Sequence, residues 1–285
     1  MIRNTTQLKA KVRNLSGGDN TKALTLIRNY LMERFLERVA ISKYRNNFIL
    51  KGGMLVSSMV GLNTRATMDI DTTVRSLSIS KENAEKVISD IIAVNIPDGI
   101  TFRITKITDI MEEHDYPGIR FMLEATLEKM QQSIKIDIST DDIITPDAIE
   151  YEFPLMFEDR SLTLWSYNLE TLLGEKLETI MTRGTANTRM RDFYDIHILT
   201  QQKSFDQDTL KAAFMATCEK RKSTGYIPDI QAIIETIASD KTMQTRWINY
   251  GAESFYVEDL AWPTVMMSVK QLAEKIMEYG QGGRT

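Results

Sequence analysis

Asp69 and Asp71 stand two residues apart in ATMDIDTTV, a segment of strand-like composition. On a strand, alternate residues point to one face, so the two carboxylates crowd together and are best stabilised by a hard divalent cation. Some way upstream stand Gly52 and Gly53, followed by the apolar run Met54 to Val60. The glycines let backbone approach a bound group, and a helix beginning behind them aims free N–H groups at it, as in a phosphate cradle. A cradle followed by a metal-binding carboxylate pair points to nucleotide chemistry assisted by metal ions. Each piece alone also reads as an ordinary turn or a chance Asp-x-Asp; order and company give them weight.

A third carboxylate is available in SIKIDIS, Ser133 to Ser139. There Lys135, Asp137 and Ser139 share one face and Ile134, Ile136 and Ile138 the other, so Asp137 can lie beside the Asp69–Asp71 strand; the same pattern also fits the polar face of an edge strand. Such a group helps hold a metal or takes the proton from an attacking hydroxyl. Further on, Asp192 and Asp195 lie three apart in a helical pattern and are neighbours on it. Arg183, Arg189 and Arg191 form a short basic cluster read as a loop. It fits either a helix C-terminus complemented by cations or contact with phosphates of a nucleotide or RNA. With one cysteine, Cys218, and two distant histidines, His114 and His197, neither a structural zinc site nor a Ser/His/Asp triad finds support.

These groups need elements to hold them. Asn20, a good N-cap, opens a helix to about Ser42 with Leu24, Ile27, Leu31, Phe35 and Val39 in phase, and Lys81 to Val94 forms another. Thr101 to Ile107, Ile119 to Leu127 and Ser133 to Ser139 alternate as strands, with turns at Tyr116 to Gly118 and Lys129 to Gln132. One or two short strands follow around Pro154. From Asn168, a cap for LETLLGEKLETIMTR, the pattern stays helical: Arg191 to Leu199, Asp206 to Arg221, Ile227 to Ser239, Lys241 to Asn249 and Val257 to Tyr279, then a frayed tail at Gly280 to Thr285. The expected class is α+β, a small mixed sheet with packed helices followed by an all-helical region.

The chain has 285 residues, 42% hydrophobic and 26% charged, an ordinary globular composition. One cysteine excludes an internal disulfide, no apolar run suits a membrane span, and the N-terminus lacks a secretory h-region, so a cytoplasmic protein is expected. Residues 1–50 carry ten Lys and Arg against three acids, leaving the rest at −11 within a net charge of −4. That basic segment is equally a polyanion surface and a solvated helix face.

The ordered pieces Lys51-Gly52-Gly53, Arg65 through Asp69-Ile70-Asp71, Lys135-Ile136-Asp137, Leu173-Gly174-Glu175-Lys176-Leu177 and Arg191-Asp192-Phe193-Tyr194-Asp195-Ile196 resemble the AbiEii/AbiGii nucleotidyltransferase toxins of abortive-infection toxin–antitoxin systems. The resemblance implies a polymerase-β-like nucleotidyltransferase domain over residues 1–165, a helical domain over 166–285, and a site in the cleft between them. Asp69, Asp71 and Asp137 would hold magnesium, with manganese as an alternative. Lys51, Gly52, Gly53, Ser57, Arg65, Lys176 and Asp195 would bind the nucleoside triphosphate, and Lys176 and Asp192 would join Asp69, Asp71 and Asp137 in the catalytic set. The implied activity is NMP transfer to an RNA acceptor, the tRNA 3′ end, which arrests growth by blocking translation as phage defence. Arg183, Arg189 and Arg191 would be weak RNA contacts, and the companion a DNA-binding antitoxin that need not touch the toxin. Met54 departs from the family's Ser or Thr after the second glycine: a thioether cannot donate the phosphate hydrogen bond, and Ser57 and Ser58 stand one turn further. Two alternatives stay open, the same chemistry on a small-molecule acceptor and a nucleotide-binding module that transfers nothing.

Overall fold

This computed structural model describes residues 2–77, 80–111, 117–257 and 259–278. His114, Tyr116 and everything from Tyr279 onward, including the expected tail, lie outside them.

Side-chain caps fix where the first helices begin. Asn4 accepts from the Gln7 amide at 2.9 Å to open α1 (Thr5–Ser16), and Gly17, at φ 61°, ends it. Periodicity does not announce α1, because it buries only Leu8, Val12 and Ser16. Asp19, rather than Asn20, caps α2 (Asn20–Ile41) by accepting from the Thr21 and Lys22 amides. Leu24, expected on the apolar stripe of α2, is 55% exposed, because burial starts only at Leu26 and Ile27. Two of the N-terminal cations are core residues. Arg34 is enclosed by Glu37 and Glu158, and Arg38 by Asp98.

β1 (Phe48–Lys51) runs directly into α3 (Gly52–Val60), and β2 (Asp69–Val74) returns antiparallel to β1. After α4 (Lys81–Ile92), capped by Ser80, come β3 (Ile100–Met111), β4 (Pro117–Leu127), β5 (Met130–Thr140), β6 (Ile149–Pro154) and β7 (Ser161–Ser166). They form a mixed seven-stranded sheet in the order β3-β4-β5-β2-β1-β7-β6. β2 pairs parallel with β5 and β1 parallel with β7. The β4–β5 turn is tighter than expected: Leu127 pairs with Met130, so only Glu128 and Lys129 turn the chain. The α+β class read from the sequence is the observed one.

Helices follow: α5 (Leu169–Arg183), α6 (Met190–Gln202), α7 (Gln207–Lys220), α8 (Ile230–Ser239), α9 (Lys241–Glu253) and α10 (Trp262–Met277). Asn168 caps α5 as expected, accepting from the Thr171 amide at 2.7 Å. Thr224–Asp229 forms a 3₁₀ turn ahead of α8, and α10 starts at Trp262 rather than Val257, with Pro263 in its first turn where a missing N–H costs nothing. Arg183 closes α5, while Arg189 and Arg191 flank the start of α6, so the three are not one loop.

The chain divides into two compact units. The first comprises Met1–Asp142 and Ala148–Tyr167 and contains the sheet; the second comprises Ile143–Asp147 and Asn168–Thr285. Ile143–Asp147 joins the helical unit because Asn168 Nδ2 donates to the Thr145 and Asp147 carbonyls at 2.8 and 3.0 Å. Among the described residues no helix is long and apolar enough to cross a membrane.

Candidate active site

Strand register assembles the first cluster. Asp71 pairs with Lys51 on β1 and with Asp137 on β5, and Asp137 pairs with Arg120 on β4. One row across four strands therefore reads Arg120, Asp137, Asp71, Lys51, with a cation at each end and two carboxylates between. Asp69 pairs with Lys135 in the next row on the same face. Because side chains alternate along a strand, a one-residue slip of β5 would carry Asp137 to the core face. The isoleucine face prevents that, since Ile134, Ile136 and Ile138 are at most 2% exposed.

The carboxylates of Asp69, Asp71 and Asp137 offer ligand atoms that all lie within 4.8 Å of one another. Three anionic oxygen ligands that close are the donor set a hard divalent ion requires, so these residues fit magnesium or manganese. Cations surround them. Arg120 donates two hydrogen bonds of 2.7 Å to Asp137, and Lys135 lies 2.6 Å from Asp69 and 3.8 Å from Asp137. The Asp137 bond, with the charges of Asp69 and Asp71 adding to it, raises the Arg120 guanidinium above its already high pKa despite partial burial. Thr67 Oγ1 donates to Asp69 at 3.0 Å.

The glycine pair has a steric role here. Gly52 sits at φ 64°, and a Cβ there would collide with the Asp71 carboxylate; one at Gly53 would press on Thr67 Oγ1. Lys51, in the N-cap position of α3, makes no side-chain cap bond, which leaves the helix N-terminus without a side-chain cap beside Asp71. Ser57 is buried with its hydroxyl donated to the Arg65 carbonyl at 2.6 Å, so it braces Arg65 rather than facing a ligand. Arg65 is itself buried and donates to the Ala66 carbonyl. Met54 is 1% exposed, a core side chain.

Sequence reasoning passed over four partners. Lys51 Nζ lies 2.5 Å from Asp142, which also accepts from Ser139 Oγ at 2.7 Å and Tyr167 Oη at 2.9 Å. Burial pushes the Asp142 carboxyl up, but the Lys51 charge and the three donated bonds outweigh it and hold the carboxyl at about 2. Arg120, the fourth, could have been found by counting back along the β4–β5 hairpin from a two-residue turn. Asp142 had no such signal, lying 91 residues from Lys51.

In the helical unit, Lys176 on α5 is enclosed by Asp192 (2.9 Å) and Asp195 (2.7 Å) on α6, the three being at most 8% exposed. Burial opposes its charge, yet the two carboxylates overcompensate and raise its pKa. Gly174 permits the helix contact nearby, since a Cβ would lie 3.1 Å from the Phe214 amide nitrogen on α7. Arg189 and Arg191 are exposed and Arg183 half-buried in the last turn of α5, where it complements the helix dipole.

No curated protein matches the chain. Two Helicobacter pylori structures are similar in fold: a candidate nucleotidyltransferase, at 17% identity and TM-score 0.53, covering 88% of this chain and 94% of that one, and JHP933, at 16% and 0.52, covering 88% and 91%. The family profile described as nucleotidyl transferase AbiEii toxin, type IV TA system, matches residues 34–270. The chain therefore belongs to the AbiEii nucleotidyltransferase toxin family.

Proposed function

We propose that this chain is a metal-dependent enzyme that moves a nucleoside monophosphate from an NTP to an RNA acceptor, the tRNA 3′ end, and so arrests translation. The observation that carries this is the convergence of Asp69, Asp71 and Asp137 within 4.8 Å, beside the N-terminus of α3. In the proposed reaction the 3′-hydroxyl oxygen bonds to the α-phosphorus, the bond to the β-phosphate bridging oxygen breaks, and pyrophosphate leaves. The hydroxyl proton passes to a carboxylate of the cluster. Magnesium, or manganese, held by the three aspartates would neutralise charge on both sides of the phosphorus. Arg120 and Lys135 keep Asp137 and Asp69 oriented, and Lys51, held by Asp142, offers a cation beside Gly52 and Gly53 for the triphosphate. The companion antitoxin implied by the family would be a DNA-binding repressor that need not contact this chain, and the setting cytoplasmic phage defence.

The test is to incubate purified protein with total tRNA, magnesium and each α-labelled NTP in turn, beside Asp69→Ala. Wild type should label RNA with a preferred nucleotide, and the variant should lose roughly 10²-fold or more of that label, since two carboxylates cannot replace three around the metal. Undiminished label from Asp69→Ala would refute the assignment of the cluster, and label on a small acceptor with none on RNA would replace the acceptor.

A further inference from the structure

Lys135 and Asp137 are two residues apart on β5, and the parallel register of β5 with β2 sets them on the same face as Asp69 and Asp71. The alternation that builds the isoleucine face therefore also delivers an ammonium into the carboxylate cluster. Lys135 Nζ lies 2.6 Å from Asp69 Oδ2 and 3.8 Å from Asp137 Oδ2, so it bridges two of the three candidate metal ligands. Arg120 is placed otherwise: it bonds both oxygens of Asp137 at 2.7 Å from the neighbouring strand β4. A divalent ion of magnesium size takes carboxylate oxygens at about 2.1 Å. On Asp69 and Asp137 it would compete with Lys135 for the same oxygens, and two cations sharing one carboxylate repel. Lys135 is the one built to yield. Its charge is a point on a flexible stem and its side chain is 28% exposed, whereas the Arg120 fork is fixed by two parallel bonds.

We propose that Lys135 is a tethered competitor for the metal. It balances Asp69 and Asp137 until a divalent ion displaces it, and the displaced ammonium then pairs with the triphosphate that arrives with the ion. This rests on the metal-dependent transfer reading above and adds to it a rule of loading: the ion alone binds weakly, and ion and nucleotide together bind well. The nucleotide supplies the anion that replaces Asp69 as the partner of Lys135, so each ligand strengthens the other, and by equal factors. A lysine that merely stood nearby as a fixed charge, with one arrangement instead of two, would alter both affinities and leave that coupling unchanged.

The test uses the full chain without acceptor RNA, as wild type, Lys135→Met and Lys135→Arg. Mn2+ binding is read from the paramagnetic resonance of the free ion in the absence of nucleotide, and binding of each of the four NTPs by calorimetry in EDTA and in excess magnesium. Lys135→Met, similar in length and uncharged, should tighten Mn2+ about tenfold or more. The same variant should shrink the magnesium-dependent gain in NTP affinity by about fivefold or more. Lys135→Arg should weaken Mn2+ a few-fold, because a fork with several donors on Asp69 yields less readily than a point charge. That arm carries the test by itself should the methionine variant not fold. Wild-type Mn2+ affinity in Lys135→Met would overturn the competitor, as would tighter Mn2+ with an undiminished nucleotide gain, the mark of a fixed charge. Tighter Mn2+ in Lys135→Arg would overturn it too. If wild type bound no Mn2+ and showed no magnesium-dependent gain for any NTP, the metal reading would fall first and the competitor with it, an outcome distinct from the others.

Discussion

Asp142 shows how a residue outside every motif can set the chemistry of one inside it. It takes up the Lys51 ammonium and two hydroxyl protons at once, and Lys51 in turn flanks Asp71 in the row of charges. A carboxyl near 3.8 when unfolded and held at about 2 when folded favours the folded state above pH 4. The lowered pKa makes that contribution complete above the unfolded value and lost as pH falls through the folded one; about 1.4 kcal/mol per tenfold gives about 2–3 kcal/mol. Asp142→Asn should therefore lower the unfolding free energy by about this amount at pH 7, and the gap to wild type should close between pH 4 and pH 2. Urea denaturation across that range checks it, and a gap independent of pH would show that packing, rather than charge, is what the residue supplies.

At the scale of elements, β2 and β5 and the pair α5 and α6 solve one problem in two ways. The strands bring one buried and two half-buried carboxylates together and balance them with Arg120 and Lys135, whereas the helices bury two carboxylates around one ammonium. Removing the lysine leaves Asp192 and Asp195 charged and almost wholly buried. Lys176→Ala should then cost about 3–5 kcal/mol of stability, the range for breaking one side of a buried pair, while Asp69→Ala, which also relieves the crowding of three carboxylates, should cost less. Thermal or chemical unfolding of both variants decides it. A Lys176→Ala protein as stable as wild type would mean that the buried acids are neutralised in some other way. Loss of transfer in that variant bears on the nucleotide only where the variant is shown to be folded.

For the whole molecule, the charge asymmetry of the sequence is smaller at the surface than in the chain. Arg34 and Arg38 belong to the core, neutralised by Glu37, Glu158 and Asp98, so the basic N-terminal segment presents fewer cations than its composition indicates. The acidic cluster is likewise partly balanced before any metal enters. Chelation with EDTA should accordingly abolish transfer yet shift the melting temperature by less than about 2 °C, because Arg120 and Lys135 already offset two of the three carboxylates. A large fall in melting temperature on chelation would make the metal structural as well as chemical.

What the sequence determined by itself is what local periodicity controls. The alternation of SIKIDIS placed Asp137 and the isoleucines on opposite faces, Asn168 marked the start of α5, and the three-residue spacing of Asp192 and Asp195 put them on one side of α6. Ordered motifs were enough for the α+β fold and the family. The tertiary structure alone decided which strands are neighbours, and hence that Arg120 and Lys51 cap the carboxylate row. It also set Asp142 against Lys51 across 91 residues, spent the Ser57 hydroxyl on the Arg65 carbonyl, and turned Leu24 outward while Arg34 went in. The physical reason is the same in each case: side-chain direction follows from a residue's own helix or strand, but its partner is chosen by long-range register and packing, which no local period encodes.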